Sequence, residues 1–335
     1  MRKRKTFVLS LLLVLVIGLL SACGSSGEPA NNGTDAAASD AASTAAAADA
    51  NAAKETAAPV QEETKKEEPQ EPVKVKVGVT GSDGETWPLL KKKAAERNIE
   101  IELVEFSDYT LPNLALANKE VDINSFQHLA FLSQFNIEHN LNIVPIGSTV
   151  VAPLGLYSEK YKKVEDIPEG AKIAIPNDPA NQGRGLLVLQ QAGLIKLKEN
   201  VGLYGTPDDI VENTRKIEIV PVVAQQTPRV LKDVAGSIIN GGIAGQAGLQ
   251  LSDAIFHDDP QAESTRPYIN VFATRAEDKD NETYRTIAKL YQEADVIETV
   301  KKDTNGASFV TDVPVEQLQS TLDQLIADIK AGAAK

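Results

Sequence analysis

The sequence has 335 residues, of which 47 are acidic and 34 basic, and its formal net charge is −13 at pH 7. This negative charge argues against a nucleic-acid partner and against a basic surface that would bind anionic lipids. Only one cysteine is present, so no intramolecular disulfide can form. Burial of apolar side chains must therefore stabilise the fold.

Residues 1–22 have the pattern of a lipoprotein signal peptide. Arg-Lys-Arg-Lys at residues 2–5 precedes an apolar stretch that is too short for a transmembrane helix. Leu-Ser-Ala then places small residues directly before Cys23, the only cysteine. We expect Cys23 to be lipidated and to anchor the protein at the extracytoplasmic face of the cell membrane. The alternative is an ordinary signal peptide with an incidental cysteine.

Residues 23–72 comprise the lipidated cysteine and a predicted disordered tether. They are rich in Ala, Ser, Asn, Asp and Glu and contain no aromatic residue. Such a segment cannot bury enough apolar surface to offset the entropy lost on ordering. We interpret it as a spacer that holds a folded domain away from the membrane. The alternative is a low-complexity remnant.

From Val73 onward, predicted strands and helices alternate. Strands are predicted at 73–79, 99–104, 121–123, 172–176, 217–222 and 237–240, with long β-rich runs at 142–158 and 268–275. Helices are predicted at 111–119, 126–136, 179–192, 279–301 and 314–332, with a further helical pattern after Trp87. Alternation of this kind is typical of mostly parallel sheets that are flanked by helices.

The folded part of the chain is long enough for two such lobes. The long β runs near 145–158 and 268–275 are the natural crossovers between them. We therefore predict an α/β protein in which 73–150 begins lobe 1 and 151–267 forms lobe 2. Residues 268–335 then return to lobe 1 and end in helices.

Ligands of open parallel sheets bind beyond the carboxyl ends of the strands, so the strand-to-helix junctions are candidate sites. Trp87 opens a helix at the first junction and either lines a cleft or is a partly buried capping residue. At a later junction, the spacing of Phe126 and Phe131 places both near one wall. His128 beside them is either structural or a catalytic base. The three histidines lie at no metal-binding spacing, so we expect no metal and no cofactor.

The junction Pro176–Arg184 predicts an anion site. Asp178 and Pro179 have the pattern of an N-cap and first helical residue. The N–H groups at such a helix end attract anions. Arg184 follows about one turn later and either forks onto a carboxylate or extends along the helix surface. No hydrolase elbow, phosphate-binding loop or zinc-protease motif is present.

Four segments together resemble the methionine-binding (NlpA-type) lipoprotein family of bacterial ABC importers. They are Asn-Ser-Phe-Gln-His at 124–128, Ile-Pro-Asn-Asp-Pro-Ala-Asn-Gln-Gly-Arg at 175–184, Gln-Gln-Ala-Gly-Leu-Ile-Lys-Leu-Lys at 190–198 and Tyr-Ile-Asn-Val at 268–271. The resemblance covers nearly all of 73–335. It implies a type II, Venus-flytrap binding protein with an amino-acid ligand, a membrane permease and a cytoplasmic ATPase as partners. We expect the chain itself to be monomeric.

The resemblance also implies roles for individual residues. Tyr109, Phe126 and His128 would surround the ligand from one lobe. Arg184 would bind its carboxylate beside Asn181, while Asn240 and Asn270 would bind its ammonium and backbone groups. The sequence departs from the family at two places: Phe131 stands where a tyrosine is usual, and Ile243 where an aromatic residue is usual.

The leading interpretation is a binding protein for L-methionine or a close analogue. Within the same class, another amino acid or a methionine-containing dipeptide is the alternative. An enzyme on the same scaffold would use His128 as a base, but no plausible nucleophile is evident beside it. An adhesin or sensor with a vestigial cleft is the third class.

Overall fold

The structure, a computed structural model, describes residues 71–332. The predicted signal peptide, Cys23 and nearly all of the predicted tether lie outside these residues, as do 333–335. Within 71–332, no helix is both long and apolar enough to cross a membrane.

Strands and helices alternate along most of the described chain. The strands are β1 (Val73–Val79), β2 (Ile99–Glu105), β3 (Ile123–His128), β4 (Ile143–Val151), β5 (Leu154–Tyr157), β6 (Lys172–Pro176), β7 (Lys196–Leu197), β8 (Ile210–Glu212), β9 (Glu218–Val222), β10 (Gly236–Asn240), β11 (Ala254–His257), β12 (Ile269–Arg275) and β13 (Phe309–Val310). The α-helices are α1 (Thr86–Ala95), α2 (Leu111–Ala117), α3 (Leu129–His139), α4 (Pro179–Gln191), α5 (Gly241–Gln246), α6 (Glu282–Leu290), α7 (Ala294–Asp303) and α8 (Val315–Ala331).

The first sheet has six strands in the order β13-β4-β12-β3-β1-β2. Its strand β1 pairs in parallel with β2 and β3, with Val75 opposite Ile101. Val75, Val77 and Val79 of β1 are fully buried, whereas Lys74 and Lys76 are exposed. This alternation follows from the two-residue period of a strand. The buried valines form one core with Leu90 and other apolar residues of α1, α6 and α7.

The second sheet has five strands in the order β11-β5-β10-β6-β9. Its core contains Ile173 and Ile175 of β6, Ile238 of β10, and Leu186 and Leu189 of α4. Because α4 packs directly behind β6, its N-terminus lies at the carboxyl end of that strand, where ligands of α/β proteins bind.

The chain passes from the first sheet to the second through residues 152–153, between β4 and β5. It returns through residues 258–268, between β11 and β12. The described residues therefore form a two-lobed α/β fold, as predicted. Each sheet is mixed rather than mostly parallel, since β5 and β12 pair antiparallel with both neighbours. Both strands lie next to a crossover, where the chain changes direction.

Three predicted elements differ from the structure. The short strand at 121–123 is in fact the longer β3, and the helix expected from Phe126 begins only at Leu129. The reason is tertiary, because β3 pairs with β1 on one side and β12 on the other. The single helix expected at 279–301 is two helices, α6 and α7, and Glu293 is the N-cap of the second.

Candidate functional site

A cavity of about 280 Å³ lies between the two lobes. Its wall includes the loop between β1 and α1, the end of β3, the first crossover, the start of α4 and the junction of β10 with α5. All nine predicted ligand-binding residues line it: Trp87, Tyr109, Phe126, His128, Phe131, Asn181, Arg184, Asn240 and Asn270. The fold therefore brings them together, and their binding of a ligand stays a prediction.

Three aromatic rings form one wall of the cavity. The ring centroids of Tyr109, Phe126 and Phe131 are 5.9 Å apart in each of the three pairs. Ile243, on the other lobe, also lines the cavity and is buried. Burial raises the pKa of the Tyr109 hydroxyl, so this residue is neutral. This part of the cavity suits an uncharged, apolar ligand group.

His128 is the N-cap of α3. The sequence did not indicate this role, because the helix was predicted to begin earlier, at Phe126. Its Nδ1 accepts a hydrogen bond from the Phe131 backbone N–H at 3.1 Å. The ring proton must then be on Nε2, which donates to Asn181 Oδ1 at 3.2 Å. Burial, together with the nearby charge of Arg184, lowers the pKa of His128 to about 3. His128 is thus a neutral residue whose two nitrogens are both engaged.

Asp178 caps α4 as predicted, with Pro179 in the first turn. Its Oδ1 accepts from the backbone N–H of Asn181 at 2.9 Å and from the side-chain Nδ2 of Asn181 at 2.8 Å. This corrects one expectation from the sequence. The Asn181 N–H at the helix end is not available to a ligand anion, because the protein's own carboxylate occupies it.

The amides of Asn181 and Asn240 are oriented by a chain of hydrogen bonds. Because Asn181 Nδ2 donates to Asp178, its Oδ1 faces the cavity and accepts from Asn240 Nδ2 at 2.6 Å. Asn240 Oδ1 is then buried and has no hydrogen-bond partner among the described residues. A buried acceptor without a partner is costly. Such an atom is suited to accept from a ligand ammonium.

Arg184 is only 3 % exposed and does not extend along the helix surface. Its Nε donates to Asp258 Oδ2 at 2.7 Å, and its Nη2 donates to the Ala152 carbonyl at 2.9 Å. The guanidinium carbon lies 4.2 Å from the centre of the Tyr268 ring. Nη1 makes no hydrogen bond within residues 71–332 and remains available to an anion in the cavity.

Trp87 and Asn270 lie at the edge of the cavity. Trp87 is 9 % exposed and packs edge-on against Phe272, with ring centroids 6.3 Å apart. It is therefore mainly a core residue that also borders the cavity. Asn270 Nδ2 donates to the Val150 carbonyl at 3.2 Å, which leaves its oxygen as the free end of the amide.

Contacts across the cavity mouth join the two lobes. Gln246 Nε2 of α5 donates to the Thr80 carbonyl after β1 at 3.0 Å. Deeper in the protein, the Tyr204 hydroxyl and Ser133 Oγ are 2.7 Å apart. These hydrogen bonds hold the lobes close together around the cavity.

Sequence reasoning did not identify Asp258, Tyr268 or Gln246 as site residues. Asp258 belongs to the loop after β11, and nothing in the local sequence distinguishes it from Asp259 beside it. Tyr268 lies within a segment that carried the family resemblance, next to Asn270. Within the described chain, no group of three or more His, Cys, Asp or Glu could hold a metal ion.

The fold and the interlobe cavity are those of two-lobed substrate-binding proteins. The family model for the NlpA lipoprotein matches residues 75–311. The chain belongs to the NlpA lipoprotein family.

Three similar proteins illustrate the relationship. The D-methionine-binding lipoprotein MetQ of Salmonella typhimurium is 40% identical over 244 residues, which is 71% of this chain and 89% of that protein. The structure of a nutrient binding protein from Burkholderia cenocepacia bound to methionine is 40% identical, with a TM-score of 0.67, and covers 71% of this chain and 99% of that one. The substrate binding protein of a methionine transporter from Streptococcus pneumoniae is 31% identical, with a TM-score of 0.68 over 71% and 95% of the two chains.

Proposed function

We propose that this chain is the extracytoplasmic substrate-binding lipoprotein of an ABC importer and binds L-methionine or a close analogue between its lobes. One observation carries the proposal. A buried guanidinium, an unpartnered amide oxygen and an aromatic wall line a single cavity. A zwitterionic amino acid with an apolar side chain has the matching groups.

Each end of the ligand has a partner of suitable chemistry. Nη1 of Arg184 would donate to the carboxylate, and Asn240 Oδ1, with the Asn270 amide, would accept from the ammonium. Tyr109, Phe126 and Phe131 would contact the thioether, since sulfur packs favourably against aromatic rings. Neutral amide oxygens bind an ammonium without adding a buried charge.

The names of the similar proteins support the ligand and the transport role. One relative is called D-methionine-binding, one solved structure contains methionine, and one belongs to a methionine transporter. We infer the corresponding partners here: a membrane permease and, through it, a cytoplasmic ATPase. The protein is a monomer anchored at Cys23, with a signal peptide over 1–22 and a tether to residue 72. Lobe 1 spans 73–150 and 268–335, and lobe 2 spans 151–267.

The alternative of an enzyme that uses His128 as a base has less support. A base needs a free lone pair within reach of its substrate. The Nδ1 lone pair of His128 accepts from Phe131, and its Nε2 donates to Asn181. A binding role requires only that His128 keep this arrangement.

The decisive experiment is mass spectrometry of small molecules released from purified, denatured protein. We expect the released molecule to be methionine. Calorimetry then measures the binding of L-methionine, D-methionine and a panel of other amino acids. Release of a methionine-containing dipeptide would instead support the longer ligand. If no amino acid or peptide is released and calorimetry detects no binding, the proposal is wrong. Emission of Trp87, the only tryptophan, provides a second readout.

A further inference from the structure

We propose that Asp258 is a positioning residue that fixes the Arg184 guanidinium for the ligand carboxylate and ties it to both crossovers between the lobes. The inference rests on the proposed function for its ligand. It assigns a role to a residue outside the predicted site, in the loop that leaves the second sheet.

The two oxygens of Asp258 have different partners. Oδ2 accepts from Arg184 Nε at 2.7 Å, and Oδ1 accepts from the backbone N–H of Leu154 at 2.8 Å. Leu154 is the first residue after the first crossover, whereas Asp258 is the first residue of the second. One buried carboxylate therefore joins both crossovers to the arginine.

The other contacts of the guanidinium also lie at the crossovers. Nη2 of Arg184 donates to the carbonyl of Ala152 in the first crossover, and Tyr268 at the end of the second lies against the guanidinium face. Nε and one proton of Nη2 are thus engaged by the protein, which leaves Nη1 without a hydrogen bond among the described residues. A ligand carboxylate at Nη1 meets a donor that is already oriented, which lowers the entropy lost on binding.

An asparagine at position 258 could not replace this carboxylate. Arg184 Nε–H and Leu154 N–H are both donors, and each faces a different oxygen of Asp258. The amide of asparagine has one oxygen and one NH₂ group, so one of the two donors would face another donor. Asp258→Asn therefore preserves the shape of the side chain while disrupting one of these two hydrogen bonds.

The test is a double-mutant cycle on methionine affinity, measured by calorimetry. In the wild-type background, Asp258→Asn should weaken binding by about tenfold or more, since one partner of a buried charge pair is changed. In an Arg184→Ala background, the same change should alter affinity by less than about twofold, because Asp258 acts through the arginine. Equal losses in both backgrounds, or a near-wild-type affinity of Asp258→Asn, would overturn the proposal.

A second pair of variants covers the case in which Asp258→Asn does not fold. Tyr268→Leu removes the ring that lies against the guanidinium, and Tyr268→Phe keeps it. We expect Tyr268→Leu to lose more affinity than Tyr268→Phe, and this difference should vanish in the Arg184→Ala background. Equal affinities of the two variants in the wild-type background would contradict the positioning role of these contacts.

A ligand-free measurement separates this inference from the proposed function. Hydrogen exchange at the Leu154 amide and across 258–268 should be faster in Asp258→Asn than in the wild type. Asp233→Asn, which changes an exposed carboxylate of the same lobe, should leave this exchange unchanged. If the wild type binds no methionine, the proposed function is wrong. Hydrogen exchange still tests whether Asp258 joins the two crossovers. Unchanged hydrogen exchange at the Leu154 amide would show that Asp258 does not join the crossovers.

Discussion

Arg184 and Asp258 form a buried ion pair in the cavity wall, with side chains only 4% and 8% exposed. From the sequence, Arg184 either binds a ligand carboxylate or extends along the helix surface, and in both cases we expect the fold to survive its removal. The structure changes this expectation, because removing either partner leaves the other as an unpaired buried charge. If the proposed function holds, ligand affinity and protein stability should therefore depend on the same residue.

Substitution of Arg184 should affect both quantities. Arg184→Ala should weaken methionine binding by about 2–5 kcal/mol, as expected for loss of one partner of a buried charge pair. It should also lower the melting temperature, since Asp258 loses its counter-charge. Arg184→Lys keeps the charge but cannot reproduce the planar donor geometry, and we expect an intermediate loss. Calorimetry and a thermal melt measure the two effects, and a near-wild-type affinity of Arg184→Ala would contradict the assignment.

Asn240 should distinguish ligands that carry an ammonium from those that do not. Asn240→Leu removes the unpartnered acceptor while keeping a similar volume. We expect it to weaken methionine binding more than binding of the analogue in which a hydroxyl replaces the amino group. Competition calorimetry gives both affinities for the wild type and the variant. Equal losses for the two compounds would mean that Asn240 does not contact the ammonium.

His128 should make stability depend on pH. Its pKa in the folded protein is lowered to about 3, whereas the unfolded chain has an ordinary histidine. Between these values the unfolded state binds the extra proton, so stability falls as the pH drops below about 6.5, by at most about 1.4 kcal/mol per pH unit. Denaturant unfolding at pH 5–7 should show that the free energy of unfolding changes less steeply with pH in His128→Gln than in the wild type. An unchanged slope in His128→Gln would contradict this role.

At the scale of elements, α4 determines most of the polar side of the cavity. Its N-cap orients Asn181, and its second turn carries Arg184. The helix also lies close to the loop that contains Leu203 and Gly205, and Gly183 permits that approach. A Cβ at Gly183 would lie 2.1 Å from the Leu203 carbonyl oxygen, a backbone atom that cannot move independently.

Gly183→Ala should therefore destabilise the protein although alanine favours helices. We expect a loss of about 1–3 kcal/mol, because the helix or the loop must shift to relieve the overlap. The matched control is Gly245→Ala in α5, where an added Cβ would have no neighbour within 4 Å. Chemical denaturation should show the control to be as stable as the wild type or slightly more stable. Equal stabilities of the two variants would refute the packing explanation.

At the scale of the whole molecule, two crossovers connect the lobes, and the cavity lies between the lobes. The predicted β-rich run at 145–158 contains the first crossover, whereas the second, at 258–268, precedes the predicted run at 268–275. The sequence patterns also predicted a membrane anchor, which lies outside the described residues and stays a prediction. The predicted attachment and the proposed ligand binding thus belong to separate parts of the chain.

The anchor can be tested without reference to the ligand. Cys23→Ala should move the protein from the membrane fraction to the soluble or medium fraction, because the lipid attachment site is lost. Immunoblotting of fractionated cells measures this, and methionine affinity of the purified variant should equal that of the wild type. A protein that stays in the membrane fraction would show that the anchor is misassigned.

The sequence by itself determined the elements whose signals are local. The two-residue alternation at 73–79 gave β1, and Asp178 followed by Pro179 gave the start of α4. The strand-to-helix junctions and the family resemblance also predicted nine of the residues that line the cavity. Local patterns suffice in these cases because each depends on neighbouring residues, through strand pleating or helix capping.

Only the tertiary structure decided the remaining features. β3 extends to His128 because strands distant in sequence pair with both of its edges. Asp258 meets Arg184 across 74 positions of the chain, and the orientation of Asn240 depends on Asp178 through Asn181. No local pattern encodes such contacts, because strand pairing and buried hydrogen bonds form only when folding brings distant segments together.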